Sequence, residues 1–361
     1  MVLSKRWQFL WMFVPKLVYD DSFEKISQLW MMVPKLLYDY QNIEYRRFSR
    51  FVDRSLFMNE APVIETLNFK LGKICGSKDL QMWIRAADKG CVRELIIEIN
   101  TCSRNKTPVT LPRSLYTCCR MLVTLKLRNA VLVDDTCPIS FPSLKKLSLE
   151  SMKYPDDEFI NRLLSGCPVL EDLVVEQCRD DNVAILSIRM PSLKCLFLHK
   201  SDNIVKKDAH GFVIDAPSLE CLDIVDYSHG FRIVEKKMCK IAKANVDISY
   251  PHTEQLLGSL TSAKRLFLCL PTSKDAYPVG SVFNTLVYLK LCICETEWLN
   301  LLICVLRDSP NLQALKLNQY HPLRTREPRP CWNEPSSVPE CILHSLETFK
   351  WVNYEGKKKR N

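Results

Sequence analysis

A six-residue phrase, Leu-x-x-Leu-x-Leu, returns about every two dozen residues through most of this chain. It stands as Leu122-Leu125-Leu127, Leu144-Leu147-Leu149, Leu193-Leu196-Leu198, Leu286-Leu289-Leu291 and Leu312-Leu315-Leu317. Close variants fill the gaps at Leu170-Leu173-Val175, Leu219-Leu222-Ile224, Ile241-Ala244-Val246 and Ala263-Leu266-Leu268, and weaker copies lie at Ile64, Val92 and Leu346. From Leu122 to Leu312 the first positions fall 22 to 26 residues apart. A unit this short cannot enclose its own leucines, so each repeat must bury them against its neighbours.

The phrase itself predicts a strand. In Leu144-Lys145-Lys146-Leu147-Ser148-Leu149, alternation puts Leu147 and Leu149 on one face and sends Lys146 and Ser148 to solvent. Proline stands two residues before the first leucine in five repeats (Pro142, Pro168, Pro191, Pro217, Pro310), where it ends the returning segment and starts the strand. Cys178 and Cys294 occupy the small polar position three residues past the last aliphatic. Between strands there is room for short helices, expected at Asp156 to Leu164, at about Glu297 to Arg307, and at about Lys78 to Lys89 with Ser77 as a possible N-cap. The unequal spacing points to irregular loops for several other connectors. The expected fold is α/β, a leucine-rich-repeat solenoid: a horseshoe with parallel strands on the concave face, short helices and loops on the convex face, and a short helical remnant at the N-terminus.

Composition narrows the function. Seventeen cysteines are an odd number, scattered through the repeats with no C-x-x-C pair, which favours free thiols in a reduced compartment, cytosol or nucleus. The N-terminal apolar run ends in Pro15-Lys16 without a small-residue cleavage site, and no stretch of about 18 uninterrupted apolar residues provides a membrane span. Of the net charge of +9, residues 1–54 carry three and the tail Lys357-Lys358-Lys359-Arg360 four, so the array is nearly neutral and nucleic acid is a poor partner. The chain has nine glycines and no phosphate-cradling motif, and its six histidines lack metal-ligand spacing along the sequence. Neither catalysis, nor a cofactor, nor a metal is expected.

What such an array offers is a face. The third and fifth positions of each phrase bring Lys243, Arg265, Lys290 and Lys316 into a basic ladder, with Phe197, Phe267 and Tyr288 as aromatic anchors of the kind enriched in protein interfaces. An acidic or phosphorylated protein segment suits that surface.

Two terminal motifs carry a family resemblance. Leu3-Ser4-Lys5-Arg6-Trp7-Gln8-Phe9-Leu10-Trp11 through Pro15-Lys16-Leu17 resembles the closing third of a plant F-box. Trp332-Asn333-Glu334-Pro335 through Glu340-Cys341, followed by Leu346-Glu347-Thr348-Phe349-Lys350-Trp351 and Tyr354-Glu355-Gly356, is similar to the start of an FBD domain. The segment Asp79 to Ala87 also resembles one found early in such proteins. The chain is thus identified as resembling plant F-box/FBD/leucine-rich-repeat proteins. This implies a partial F-box end over 1–45, a repeat array over 46–320, and the start of an FBD with its basic tail over 321–361.

The resemblance further implies the role of substrate-recognition subunit in an SCF-type cullin ubiquitin ligase. A Skp-type adaptor would dock on the residues that remain of the box, Leu3, Trp7, Leu10 and Trp11. The earlier box helices have no counterpart before Met1, which keeps open a second reading, a repeat binding module uncoupled from any ligase or an inactive relic lacking a competent F-box. A duplication adds to this region. Leu10-Trp11-Met12-Phe13-Val14-Pro15-Lys16-Leu17-Val18-Tyr19-Asp20 recurs as Leu29-Trp30-Met31-Met32-Val33-Pro34-Lys35-Leu36-Leu37-Tyr38-Asp39.

Overall fold

The computed structural model describes residues 10–21, 34–72, 75–100, 109–133, 138–177, 182–183, 185–200, 211–227, 231–234, 238–248, 253–270, 277, 280–294, 298–321 and 337–352. The chain divides into two compact units, residues 1–183 and 184–361.

In the first unit each phrase becomes a strand. β1 (Lys16–Asp20), β2 (Thr66–Leu71), β3 (Glu94–Ile99), β4 (Thr124–Arg128), β5 (Lys146–Glu150) and β6 (Asp172–Gln177) lie side by side in chain order, every pair parallel. The register superimposes the phrases, with Leu95 beside Leu125, Leu125 beside Leu147 and Leu147 beside Leu173. All of these leucines are buried, each contributing about 1.5–3 kcal/mol. The repeat is entered through a turn in which the first leucine donates its backbone N–H to the residue before the proline: Leu144 to Phe141 O at 3.2 Å and Leu170 to Cys167 O at 3.1 Å. Proline fits the second position of such a turn because its φ is already set. Lys146 reaches solvent as expected. Ser148 does not: it is buried and gives its hydroxyl to Glu150 Oε1 at 3.0 Å, the carboxylate supplying what water would have.

The connectors of this unit carry α1 (Pro34–Met58), α2 (Ser77–Lys89), α3 (Ser114–Cys118) and α4 (Phe159–Ser165). Helix α2 buries Leu80, Trp83, Ile84 and Ala87, an apolar stripe at helical spacing, but Gly76 and not Ser77 occupies the cap and no side chain bonds the helix start. Trp83 is its anchor, stacked on Phe69 at 5.2 Å and hydrogen-bonded through Nε1 to Asp53 Oδ1 of α1 at 2.7 Å. α4 begins later than the acidic run, because Asp156 forms the turn before it, accepting from Glu158 N at 2.9 Å and pairing with Arg162 at 2.7 Å.

The duplicated segment adopts two structures. Lys16-Leu17-Val18-Tyr19-Asp20 is β1, whereas Lys35-Leu36-Leu37-Tyr38-Asp39 lies inside α1. Sheet and helix thus come from five residues that differ at one position.

In the second unit β8 (Cys195–Lys200), β10 (Cys221–Asp226), β12 (Lys243–Ile248), β13 (Arg265–Cys269), β14 (Tyr288–Cys292), β15 (Ala314–Asn318) and β16 (Thr348–Val352) form the phrase sheet, again parallel and in order. The connectors expected to be irregular hold strands as well: β7 (Ile185–Arg189), β9 (Gly211–Asp215) and β11 (Phe231–Val234) pair into a second parallel sheet. Helices α5 (Glu254–Ser259), α6 (Trp298–Arg307) and α7 (Glu340–His344) complete the unit, α5 against β11 and α6 against α7. The strand array extends beyond 46–320, since β1 precedes it and β16 follows. In β16, Phe349 and Trp351 stand in register with Leu315 and Leu317 yet are 56% and 36% exposed.

Candidate protein-binding face

Two ladders of outward side chains cross the second unit. The third phrase position runs Cys195, Cys221, Lys243, Arg265, Tyr288, Ala314, Thr348, and the fifth runs Phe197, Asp223, Asn245, Phe267, Lys290, Lys316, Lys350. The expected residues therefore fall on one face. Phe197 is separated from the rest by the polar rungs Asp223 and Asn245. The other six gather on neighbouring strands, and Lys243, Arg265, Phe267, Tyr288 and Lys290 line a depression of about 540 Å³.

Charge pairing distinguishes this face from that of the first unit. There the outward charges are matched across strands: Lys126 with Glu94 at 3.5 Å, Lys146 with Asp172 at 2.8 Å, Arg128 with Glu150 at 3.7 Å. In the second unit, among the described residues, no carboxylate lies within ion-pair distance of Lys243, Arg265, Lys290 or Lys316. Two of them, Lys290 and Arg265, lie over aromatic rings instead. Lys290 Nζ sits 4.6 Å from the Phe267 ring centre and 4.0 Å from that of Tyr320, and Arg265 lies 5.9 Å from the Tyr288 ring. Cation–π attraction orients these cations without neutralising them.

Sequence reasoning missed a strap. Immediately after β15 the chain turns across the face, so that Tyr320 meets Phe267 edge-on at 5.3 Å and His321 Nε2 reaches Asp247 Oδ2 at 2.9 Å. Tyr227 donates its hydroxyl to the same carboxylate oxygen at 3.0 Å. Phe267 is consequently half-buried beneath Tyr320 and is not the open anchor expected. Burial works to raise the Tyr320 phenol, but hydrogen bonding to Lys290 and Asn318 and the nearby Lys316 charge outweigh it and the net shift is downward. Asp223 and Asp247 also line the depression, so acid and base stand side by side on its floor.

At the other end of the chain, Leu3 and Trp7 lie outside the described residues. Leu10 and Trp11 belong to a single 3-10 turn, Leu10–Phe13, that leads into β1. A separate depression of about 930 Å³ between α1 and α2 has Trp83 and Ile64 on its floor and Arg50, Arg54 and Arg85 around it, with Phe57 beside it 90% exposed.

Comparison with known proteins decides the family. A family model described as "FBD-associated F-box protein At5g56370, LRR repeats" matches residues 80–246, and the FBD model matches 334–360. The Arabidopsis thaliana "Probable FBD-associated F-box protein At1g32375" is 61% identical over 357 residues, 99% of this chain and 81% of that protein. The chain belongs to the plant F-box/FBD/leucine-rich-repeat proteins. From the same plant, "Putative FBD-associated F-box protein At5g56390" is 60% identical over 362 residues (99% and 80%), and "F-box/FBD/LRR-repeat protein At5g56420" is 46% identical over 361 (99% and 80%). Membership in this F-box/FBD/leucine-rich-repeat family makes the chain a protein-interaction module of the SCF type.

Proposed function

We propose that this F-box/FBD/leucine-rich-repeat protein is the target-binding subunit of a cullin ubiquitin ligase, and that the face of its second unit holds an acidic or phosphorylated segment of the target. The observation that carries this reading is the set of four cations without ion-pair partners among the described residues, Lys243, Arg265, Lys290 and Lys316, the first three of which line a depression with Phe267, Tyr288 and Tyr320. Desolvating such cations is costly unless an anion replaces the water, and an acidic ligand supplies it. The segment Ser4 to Leu17 would present Trp7, Leu10 and Trp11 to a Skp-type adaptor, and recruited subunits would perform the transfer of ubiquitin. Cytosol or nucleus is the compartment this role requires.

Two binding measurements test the two halves separately. Purified protein is titrated with a plant Skp-type adaptor by calorimetry, with a chain lacking residues 1–45 as control. Micromolar binding lost on truncation supports coupling to a ligase, while no binding by folded protein leaves a repeat module without one. Fluorescence anisotropy with acidic and phosphorylated peptide pools then reads the face. Binding weakened about tenfold or more by Arg265→Ala with Lys290→Ala, and by added salt, supports the assignment. Indifference of every bound peptide to both would sink it.

A further inference from the structure

The phrase position one residue past the third aliphatic is occupied, on four successive strands, by Asp247, Cys269, Cys292 and Asn318, which the register sets in a row across β12 to β15. Side chains at this position point outward, yet all four are buried, with Cys269 at 1% and Cys292 at 3% exposure. Cys294, two residues beyond Cys292, is brought back beside them where the chain leaves β14, its Sγ 3.5 Å from that of Cys269. The three sulfurs lie within 4.8 Å of one another. A donor atom of His321 lies equally close to Cys269 and Asp247, since the strap delivers that ring across 74 residues of chain.

We propose that Cys269, Cys292, Cys294 and His321 form a structural zinc site. Three sulfurs about 2.3 Å from a tetrahedral ion stand about 3.8 Å apart, so the three thiols close onto zinc with side-chain movement of about an ångström, and His321, grouped with Cys269 but not with all three thiols, moves farther to become the fourth ligand. Three cysteines and one histidine are a donor set that zinc takes in structural sites. The bond from His321 Nε2 to Asp247 is the carboxylate–imidazole arrangement that fixes a ligating ring and leaves its other nitrogen for the ion. Nearby Asn318 holds a buried side-chain oxygen with no hydrogen-bond partner, an orphan acceptor at the edge of the thiol cluster. Binding converts three thiols to thiolates and releases their protons, leaving one net negative charge on the ion and its ligands, and affinity therefore falls with acid. The bound ion would pin the strap to the face by linking His321 to β13 and β14.

Cobalt(II) titration of the metal-free full-length protein under reducing conditions tests this directly. The expected result is one equivalent bound, with thiolate charge-transfer absorption in the near ultraviolet, the d–d intensity of tetrahedral geometry, and displacement by one equivalent of zinc. Cys294→Ser is expected to weaken the charge-transfer band, which scales with the number of bound thiolates, and His321→Ala to shift the d–d bands. Cys167→Ser, buried elsewhere, serves as control, and circular dichroism establishes that each variant is folded. Folded wild-type protein that takes up neither cobalt nor zinc overturns the proposal. So does a Cys269–Cys294 disulfide in freshly reduced and desalted protein, or a site that takes copper(I) and refuses zinc.

Discussion

At the scale of single residues, the turn that leaves α4 has no spare room. Gly166 closes α4, and a β-carbon there would stand 2.5 Å from the Ile139 carbonyl oxygen, a backbone atom that cannot swing aside. Gly166→Ala is expected to cost about 1–3 kcal/mol, read from denaturant unfolding. Asp21, just past β1, offers a second test. Burial, opposed by the Gly72 backbone hydrogen bond and reinforced by neighbouring Asp20, lifts its carboxyl to about 6. A carboxyl raised in the folded state stabilises the fold below its unfolded value and ceases to do so as pH rises through the folded one. Stability is therefore expected to fall between pH about 4 and pH about 6, and Asp21→Asn to flatten that stretch of a stability–pH profile.

At the scale of elements, the phrase sheet was legible because alternation and period act together over many copies. Strands β7, β9 and β11 were not, although Ile185-Leu186-Ser187-Ile188 alternates, because a pattern lying between two phrases reads as connector. The candidate site divides in the same way. Register alone located Lys243, Arg265, Lys290 and Lys316, while the strap and its histidine come from sequence too distant to pair by eye. The thiol cluster is hard to see because a single cysteine on a strand carries no signal, and only the sheet register brings Cys269 and Cys292 together. Reading the seventh phrase position down the repeats places Asp247, Cys269, Cys292 and Asn318 in a line, and that signal was present. The last strand yields a contrast in energetics. Leu315→Ala, in a buried rung, is expected to cost about 2–5 kcal/mol, whereas Phe349→Ser, one strand over and mostly exposed, should fall within about 0.5 kcal/mol of the parent. Thermal unfolding of the two variants compares them.

At the scale of the whole molecule, parallel strands joined in chain order mean that each unit is held by contacts between neighbours. Amide hydrogen exchange is therefore expected to be graded, with the end strands β1 and β16 exchanging at least tenfold faster than β4 and β13 within their respective units. Uniform protection along each sheet would contradict a nearest-neighbour stack. The first of these end strands has a particular history in the chain. Its five residues recur with one change, and 50 positions separate Lys16 from Thr66 while 31 separate Lys35 from it, the latter close to the 28 and 30 of the two following steps. The edge of the first unit thus has an understudy, presently employed as helix, whose length of tether suits the part better than that of the strand now playing it.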